Sequence, residues 1–208
     1  EIRPRDWSSD VCSSDLDPPE VTRTLAEAAA AVGAVLVVDE AYGEFAPWSA
    51  LDLVADERPV VVVRTYSKVW SLAGLRLGFA VAPEWLGAEL AKVRLPYNLS
   101  VPTQVGGTVA LRFRREMAER VATLVAGREQ LVAGLSACAG VEPFPSGANF
   151  VLFRVTGDAR ALWERLLDRG VLVRDFSGWP GVEGCLRVTV GTPEENDAFL
   201  EALTEENA

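Results

Sequence analysis

The stretch T-Y-S-K-V-W-S-L-A-G-L-R, Thr65–Arg76, places one of the two lysines of the chain between hydroxyl side chains and an arginine. The apolar run Val60–Val63 leads directly into it, and such a run is typical of a buried strand. A lysine amine can bond to an aldehyde, and the hydroxyl and guanidinium groups beside it can hold an anion. The stretch therefore predicts Schiff-base chemistry on a phosphorylated cofactor at the end of a strand.

A second apolar run ends in acidic and phenolic side chains. The residues Ala34–Val38 lead into Asp39-Glu40-Ala41-Tyr42. Apolar strands separated by helices or long connections predict a sheet covered on both faces, largely parallel but with room for one reversed strand. Such sheets bind ligands beyond the carboxyl ends of their strands. We therefore expect the acid, the phenol and Lys68 to share one site.

Pyridoxal phosphate is a cofactor whose needs these groups meet. Its aldehyde needs a lysine, its ring nitrogen needs a carboxylate, and its phosphate needs hydroxyls, backbone N–H groups and a cation. The candidates are Lys68 for the aldehyde, Asp39 for the ring nitrogen, Tyr42 for the ring hydroxyl, and Thr65, Ser67 and Arg76 for the phosphate. Taken singly, these residues also fit ordinary structural roles, such as a solvated lysine, a helix N-cap or a surface ion pair.

Composition argues against several other classes of function. The formal net charge is −10, whereas proteins that bind nucleic acid or anionic membranes present a basic surface patch. The chain has no histidine, which excludes Ser-His and Cys-His mechanisms, and Cys12, Cys138 and Cys185 indicate neither a disulfide framework nor a metal site. No stretch approaches the roughly 20 apolar residues that span a bilayer. We expect a soluble, cytoplasmic protein.

The spacing of apolar residues predicts an alternation of helices and strands. Helices are predicted over residues 20–32, 104–137 (as one or two helices), 158–169 and 193–203, and strands over 35–38, 60–64, 77–81, 148–155, 171–174 and 185–190. Composition changes near residue 139. We therefore expect a large domain over 17–138 and a small α+β domain over 139–208.

The first sixteen residues fit poorly with the rest of the chain. They are rich in serine and aspartate, lack a sustained apolar period and contain the triplet S-S-D twice. The block resembles the conceptual translation of a short-read sequencing adaptor. We expect residues 1–16 not to be native protein, and we exclude them from the fold prediction.

Three ordered motifs resemble one known family. They are D-E-A-Y-G-E-F at 39–45, S-K-V-W-S-L-A-G-L-R-L-G-F at 67–79 and C-L-R-V-T-V-G-T at 185–192. Together they resemble the pyridoxal-phosphate enzymes of the aspartate-aminotransferase fold, and within these they look most like histidinol-phosphate aminotransferases. The resemblance runs from about residue 17 to the end of the chain. It implies an α/β large domain with a mostly parallel sheet, lacking its N-terminal part, and a small C-terminal α+β domain.

The resemblance also implies a role for each candidate residue. Lys68 would bond to the cofactor aldehyde, Asp39 would pair with the ring nitrogen, and Tyr42 would contact the ring hydroxyl. Ser67 and Arg76, and less directly Thr65, would bind the cofactor phosphate. The implied substrate-binding residues are Arg187 for a carboxylate, Arg174 for a second anion and Asn149 in the same pocket.

The activity implied is transamination between L-histidinol phosphate and 2-oxoglutarate in histidine biosynthesis, by an enzyme that is a homodimer when intact. Threonine-phosphate decarboxylation in cobalamin synthesis, aromatic amino-acid transamination and a non-enzymatic ligand-sensing domain remain alternatives. The family's glycine-containing phosphate loop, its ring-stacking aromatic residue and its asparagine near the ring hydroxyl have no counterpart here. We therefore expect the 208-residue chain alone to be poorly folded or inactive.

Overall fold

The computed structural model of the chain describes residues 18–54 and 58–206. These residues divide into two compact units, one over 18–121 and the other over 122–206. The division falls inside the long helix Arg114–Ala137. The sequence-based domain limit near residue 138 remains a prediction. The predicted non-native block 1–16 and Cys12 lie outside the described residues.

The first unit is built on a three-stranded sheet. Its strands are β1 (Leu36–Asp39), β2 (Val60–Thr65) and β3 (Gly78–Val81), in the order β1-β2-β3. The pairing of β1 with β2 is parallel and that of β2 with β3 is antiparallel. All three predicted strands are confirmed, and β3 is the reversed strand. The largely parallel character of the whole sheet remains a prediction, because the two described pairings differ in direction.

The first unit also contains the helices α1 (Pro19–Ala31), α2 (Leu51–Val54), α3 (Glu84–Val93) and α4 (Val101–Ala110). The helix α1 starts at a proline, whose missing N–H is not needed there, and ends before Gly33 at φ +68°. Alternate residues of β2, Val60 and Val62, are fully buried in a cluster with Ala26 of α1 and Leu53 of α2. The sequence analysis did not predict α3.

The second unit is an antiparallel sheet covered by helices. After the helix α5 (Arg114–Ala137) come β4 (Val141–Pro143), β5 (Phe150–Val155), α6 (Ala159–Asp168), β6 (Arg174–Asp175), β7 (Cys185–Thr189) and α7 (Pro193–Glu206). The strand order is β4-β5-β7-β6. Leu131, Leu166 and Leu203, from the three helices, are fully buried in one cluster with Phe153 of β5. A smaller cluster, containing Leu152 and Phe176, is separate from it.

The strand predicted over residues 171–174 is wrong for its first three residues, because only Arg174 and Asp175 pair with β7. The N–H of Val171 donates to the carbonyl of Leu166 at 2.9 Å, after a turn in which Gly170 has φ +79°. The carbonyl of Val173 accepts from the indole N–H of Trp163 at 2.8 Å. The N–H of Val171 and the carbonyl of Val173, which a strand would offer to its neighbour, are therefore bonded elsewhere.

No helix in the described parts of the chain is long and apolar enough to cross a membrane.

Candidate active site

The topology of the first unit brings the predicted cofactor residues to one edge of its sheet. Parallel β1 and β2 end at the same edge, with Asp39 in register with Val63. Antiparallel β3 begins at that edge, with Gly78 opposite Thr65. The loop between β2 and β3 carries Ser67, Lys68 and Arg76 and returns to the edge from which it started.

The close pairing of β2 with the start of β3 requires a glycine at position 78. A Cβ atom added to Gly78 would lie 2.9 Å from the carbonyl oxygen of Arg64, which is closer than real Cβ atoms come to backbone. The N–H of Tyr66 donates to the carbonyl of Leu77 at 2.9 Å and closes the base of the lysine loop. The two ends of the Lys68 loop are therefore fixed to each other by backbone.

Lys68 and Tyr42 meet directly. The Nζ atom of Lys68 lies 4.7 Å from the centroid of the Tyr42 ring, within the range of a cation–π contact. Lys68 is exposed and Tyr42 is half-buried. The carbonyl of Lys68 accepts from the N–H of Ser71 at 3.0 Å, which makes the lysine part of a tight turn. The loop after β1 and the loop after β2 therefore meet through these two side chains.

Asp39 ends β1 with an exposed carboxylate. Its Oδ1 atom accepts from the N–H of Ala41 at 2.9 Å. A carboxylate has lone pairs for several donors, so this bond fixes the orientation of the side chain and leaves room for a further donor.

Hydroxyls and a guanidinium supply the anion-binding groups predicted for this edge. The Oγ1 atom of Thr65 accepts from the N–H of Ser67 at 3.0 Å and lies 2.9 Å from the Oγ atom of Ser67. Arg76 adopts φ +50°, in the left-handed region that few non-glycine residues occupy. Its Nη1 atom donates to the carbonyl of Ala73 at 3.0 Å. The guanidinium of Arg76 is thus held against its own loop while it remains exposed.

A buried ion pair, which the sequence analysis did not single out, lies beside these loops. Glu40 is 8% exposed, and its Oε2 atom accepts from Nη2 of Arg64 at 2.7 Å and from Nε at 3.1 Å. Its Oε1 atom accepts from the N–H of Ala50 at 2.6 Å, and the hydroxyl of Ser49 donates to it as well. The alternation of strand residues could have predicted this pair. Glu40 must point to the face of the sheet opposite to that of Asp39, and Arg64 points to the same face as Glu40.

Glu44 lies close to the same ion pair. Its Oε1 atom is 3.8 Å from Nη1 of Arg64. Burial of the carboxyl raises the pKa of Glu44 above its usual value of 4.5, although the charge of Arg64 acts in the opposite direction. The carboxyl of Glu44 is therefore more easily protonated in the folded chain than in water.

The second unit brings together two of the three predicted substrate residues. Arg174 of β6 is directly opposite Arg187 of β7. The guanidinium carbons of Arg187 and Arg174 lie 5.3 Å and 5.9 Å from the ring centroid of Phe176, and that of Arg187 also lies 4.6 Å from the Phe150 ring. Two neighbouring guanidinium groups form a cationic patch that suits an anion with several oxygens.

Asn149 precedes β5, and its backbone carbonyl accepts from the N–H of Val190 at 2.9 Å. The preceding carbonyl, of Ala148, accepts from Nη1 of the buried Arg128 at 3.1 Å. Arg128 thereby fixes the backbone that carries Asn149, a contact that the sequence analysis missed because the two partners lie 20 residues apart in the chain.

Two findings bear on other chemistry. Within residues 18–54 and 58–206, no group of three or more His, Cys, Asp or Glu side chains could hold a metal ion. Burial raises the pKa of the Cys185 thiol, which lowers the fraction of reactive thiolate.

Comparison with known proteins shows the family of the chain. The sequence model of a family described as aminotransferase class I and II matches residues 12–203. A histidinol-phosphate aminotransferase of Roseiflexus castenholzii is 42% identical over 189 residues, which cover 89% of this chain and 51% of that protein. The chain spans about half the length of the curated relatives it matches.

Two solved structures show the same fold. The histidinol-phosphate aminotransferase of Sinorhizobium meliloti, in complex with pyridoxal-5'-phosphate, aligns with a TM-score of 0.79 at 27% identity over 94% of this chain and 54% of its own. The histidinol-phosphate aminotransferase of Clostridium acetobutylicum aligns with a TM-score of 0.84 at 20% identity over 94% of this chain and 60% of its own. The lysine loop, the strand-end acid and these matches lead to one conclusion: the chain belongs to the class I and II aminotransferase family.

Proposed function

We propose that this chain contributes the lysine-bearing side of a pyridoxal phosphate site, and that the protein transfers an amino group between L-histidinol phosphate and 2-oxoglutarate. The observation that carries the proposal is the meeting of Lys68 with Tyr42 at the sheet edge where β1 ends in Asp39. An amine, a phenol and a carboxylate at one edge are the groups that this cofactor needs around its ring.

The donor set at this edge fits the cofactor by its chemistry. The exposed amine of Lys68 is accessible to an aldehyde. The hydroxyls of Thr65 and Ser67, which bond to each other at 2.9 Å, can turn toward a phosphate, and Arg76 adds a cation. The carboxylate of Asp39 can accept a hydrogen bond from the protonated ring nitrogen.

When bound, pyridoxal phosphate supplies an electron sink for the substrate carbon that loses its proton. In this proposal Nζ of Lys68 takes that proton and returns it, as a general base and then a general acid. Asp39 holds a proton at the ring nitrogen by its negative charge. The Tyr42 phenol donates a hydrogen bond to the ring oxygen, and the Tyr42 face orients Lys68.

Arg187 and Arg174 would bind the anionic groups of the substrates, with Asn149 in the same pocket. Histidinol phosphate has no α-carboxylate, so Arg187 would bind either its phosphate or the carboxylate of 2-oxoglutarate. The names of the relatives support histidinol phosphate as one substrate: proteins from Roseiflexus castenholzii and Mycobacterium ulcerans that are 42% and 49% identical to this chain are histidinol-phosphate aminotransferases. The homodimer implied by the family resemblance is part of the proposal.

The cofactor half of the proposal can be tested on the chain itself, although we expect the chain alone not to transaminate, because labelling needs only the Lys68 side of the site and the chain contains only two lysines, Lys68 and Lys92. The chain is mixed with pyridoxal phosphate, reduced with borohydride and digested, and the modified peptides are identified by mass spectrometry. We expect the label on Lys68. Lys92 is an internal control, since it is exposed and paired with Glu89 on α3. Equal labelling of the two lysines would contradict a built site.

The substrate half needs an assay on a complete enzyme. We suggest replacing the matching segment of the Mycobacterium ulcerans relative with the aligned 173 residues of this chain. The chimera should transaminate L-histidinol phosphate with 2-oxoglutarate in preference to aromatic amino acids, and it should not decarboxylate threonine phosphate. A preference for either alternative would overturn the proposed substrate, while sedimentation velocity of the chimera tests the homodimer.

A further inference from the structure

We propose that Glu40 is a positioning residue for the cofactor site: its buried carboxylate ties the end of β1, with Asp39 and the following loop with Tyr42, to the strand that leads into Lys68. The inference rests on the proposed function for its meaning, because the residues that it positions are those assigned to pyridoxal phosphate. The contacts of Glu40 carry it.

The donors to Glu40 come from two separate places in the first unit, strand β2 and the segment 49–50. The guanidinium of Arg64, on β2, gives two hydrogen bonds of 2.7 Å and 3.1 Å to Oε2. The hydroxyl of Ser49 lies 2.8 Å and 3.0 Å from the two carboxylate oxygens, and the N–H of Ala50 donates to Oε1 at 2.6 Å. One carboxylate thus joins the end of β1, the end of β2 and the segment that precedes α2.

The backbone of Glu40 adds two further ties. Its N–H donates to the carbonyl of Val63 at 2.9 Å, which extends the β1–β2 pairing past Asp39. Its carbonyl accepts from the N–H of Gly43 at 2.9 Å, so the turn containing Tyr42 closes on Glu40. A Cβ atom added to Gly43 would lie 2.8 Å from Cβ of Glu40, which means that this close turn requires glycine.

The position of Glu40 in the sequence explains how it can act without touching the cofactor. Successive strand residues point to opposite faces, so Asp39 is exposed on one side of the sheet edge while Glu40 is buried on the other. Arg64 and Thr65, both half-buried, likewise point to opposite faces at the end of β2. Each strand therefore ends in one residue for the site and one residue that fixes the strand end.

The contact of Lys68 with Tyr42 gives a readout that does not require the cofactor. Methylation of the amines with 13C-labelled methyl groups gives two lysine signals in an NMR spectrum, one from Lys68 and one from Lys92. The signal of Lys68 is the one that disappears in Lys68→Ala. The ring of Tyr42 should shift the Lys68 methyl signal, and Tyr42→Leu supplies the unshifted reference. We expect Glu40→Gln to lose at least about half of that shift, because the carboxylate accepts on both oxygens and an amide has only one, so its NH2 group must face either Arg64 or the N–H of Ala50.

The second readout is the affinity of the unmethylated full chain for pyridoxal phosphate, measured by absorbance titration. Glu40→Gln should weaken binding by about ten- to a hundredfold, the loss typical when the support of a binding group is removed. The matched control is Glu44→Gln, which removes a neighbouring carboxylate lying 3.8 Å from the same guanidinium. It should leave the Lys68 shift unchanged and the affinity within about twofold.

A milder variant covers the case in which Glu40→Gln fails to fold. Arg64→Lys keeps the positive charge but replaces a two-pronged donor by a single ammonium, and it should show a smaller loss in both readouts. Variants that keep the Lys68 shift and bind the cofactor like the parent chain would overturn the inference. A parent chain that shows the shift but does not bind pyridoxal phosphate would contradict the proposed function instead, and the shifts of the variants would still decide the role of Glu40.

Discussion

Replacing Arg64 with Met should destabilise the first unit by about 3–5 kcal/mol, because a buried carboxylate loses its cation. The side chains of Arg64 and Glu40 are 16% and 8% exposed. The two hydrogen bonds from Arg64 to Oε2 are charge-assisted, and each contributes about 1.5–3 kcal/mol. Since Ala50 and Ser49 still donate to the carboxylate, we expect the lower end of the range, about 3 kcal/mol.

A double-mutant cycle with Glu40→Gln separates the ion pair from general damage. The loss of unfolding free energy in the double variant should be smaller than the sum of the two single losses by at least about 1.5 kcal/mol. The reason is that neither partner is then left as a lone buried charge. The control cycle uses Arg115 and Glu119, an exposed pair one helical turn apart whose side chains are 88% and 65% exposed. Its coupling should be about 0.3–0.5 kcal/mol.

Hydrogen exchange followed by mass spectrometry is the suitable assay, because it reports the stability of separate parts of one chain. Peptides from β2 should lose protection in Arg64→Met, while peptides from β5 and β7 in the second unit serve as an internal reference. Additive effects in the Arg64–Glu40 cycle, or an Arg64→Met effect no larger than that of Arg115→Met, would refute the reasoning.

Three further predictions concern both units. Trp163→Phe should destabilise the second unit by about 1–2 kcal/mol, because the carbonyl of Val173 loses its donor, and urea denaturation checks this against Trp179→Phe, an exposed replacement. The raised pKa of Glu44 means that the folded first unit binds this proton more tightly, so its stability should rise as the pH falls toward 4.5. Glu44→Gln should stabilise the unit at neutral pH and remove that part of the pH dependence in hydrogen exchange; a destabilised variant would contradict this sign. In the chimera, Arg187→Lys should raise KM for 2-oxoglutarate by about tenfold or more through loss of the two-pronged bond, whereas Arg154→Lys on the same sheet should not.

Local pattern was sufficient for much of the secondary structure. The helix α1 and the strands β1, β2 and β3 were predicted from apolar runs bounded by glycine, proline or polar residues, and each is found within one or two residues of its expected limits. The pattern was insufficient at residues 171–173. Their valines favour a strand, but the carbonyl of Leu166, in the last turn of α6, and the indole of Trp163 bond to backbone groups that a strand would use.

The candidate site divides in the same way. The sequence motifs were sufficient to predict that one edge of the sheet carries Asp39, Tyr42, Thr65, Ser67, Lys68 and Arg76, and their roles toward the cofactor stay predictions. The left-handed conformation of Arg76, which ends the 3-10 turn Ala73–Leu75, could not be predicted, since few non-glycine residues adopt it. Arg128 escaped notice because its partner, the carbonyl of Ala148, lies 20 residues away.

The sequence by itself determined which chemical groups the chain offers and on which strand ends they lie, because alternation and apolar runs are local properties of a strand. It also carried the motifs by which the family is known. Only the tertiary structure decided that β3 runs against β2, that Lys68 rests on Tyr42, and that Glu40 pairs with Arg64 across 24 residues. The physical reason is that a buried charge is stable only where distant donors converge on it, and this convergence depends on sheet register and on the exclusion of water.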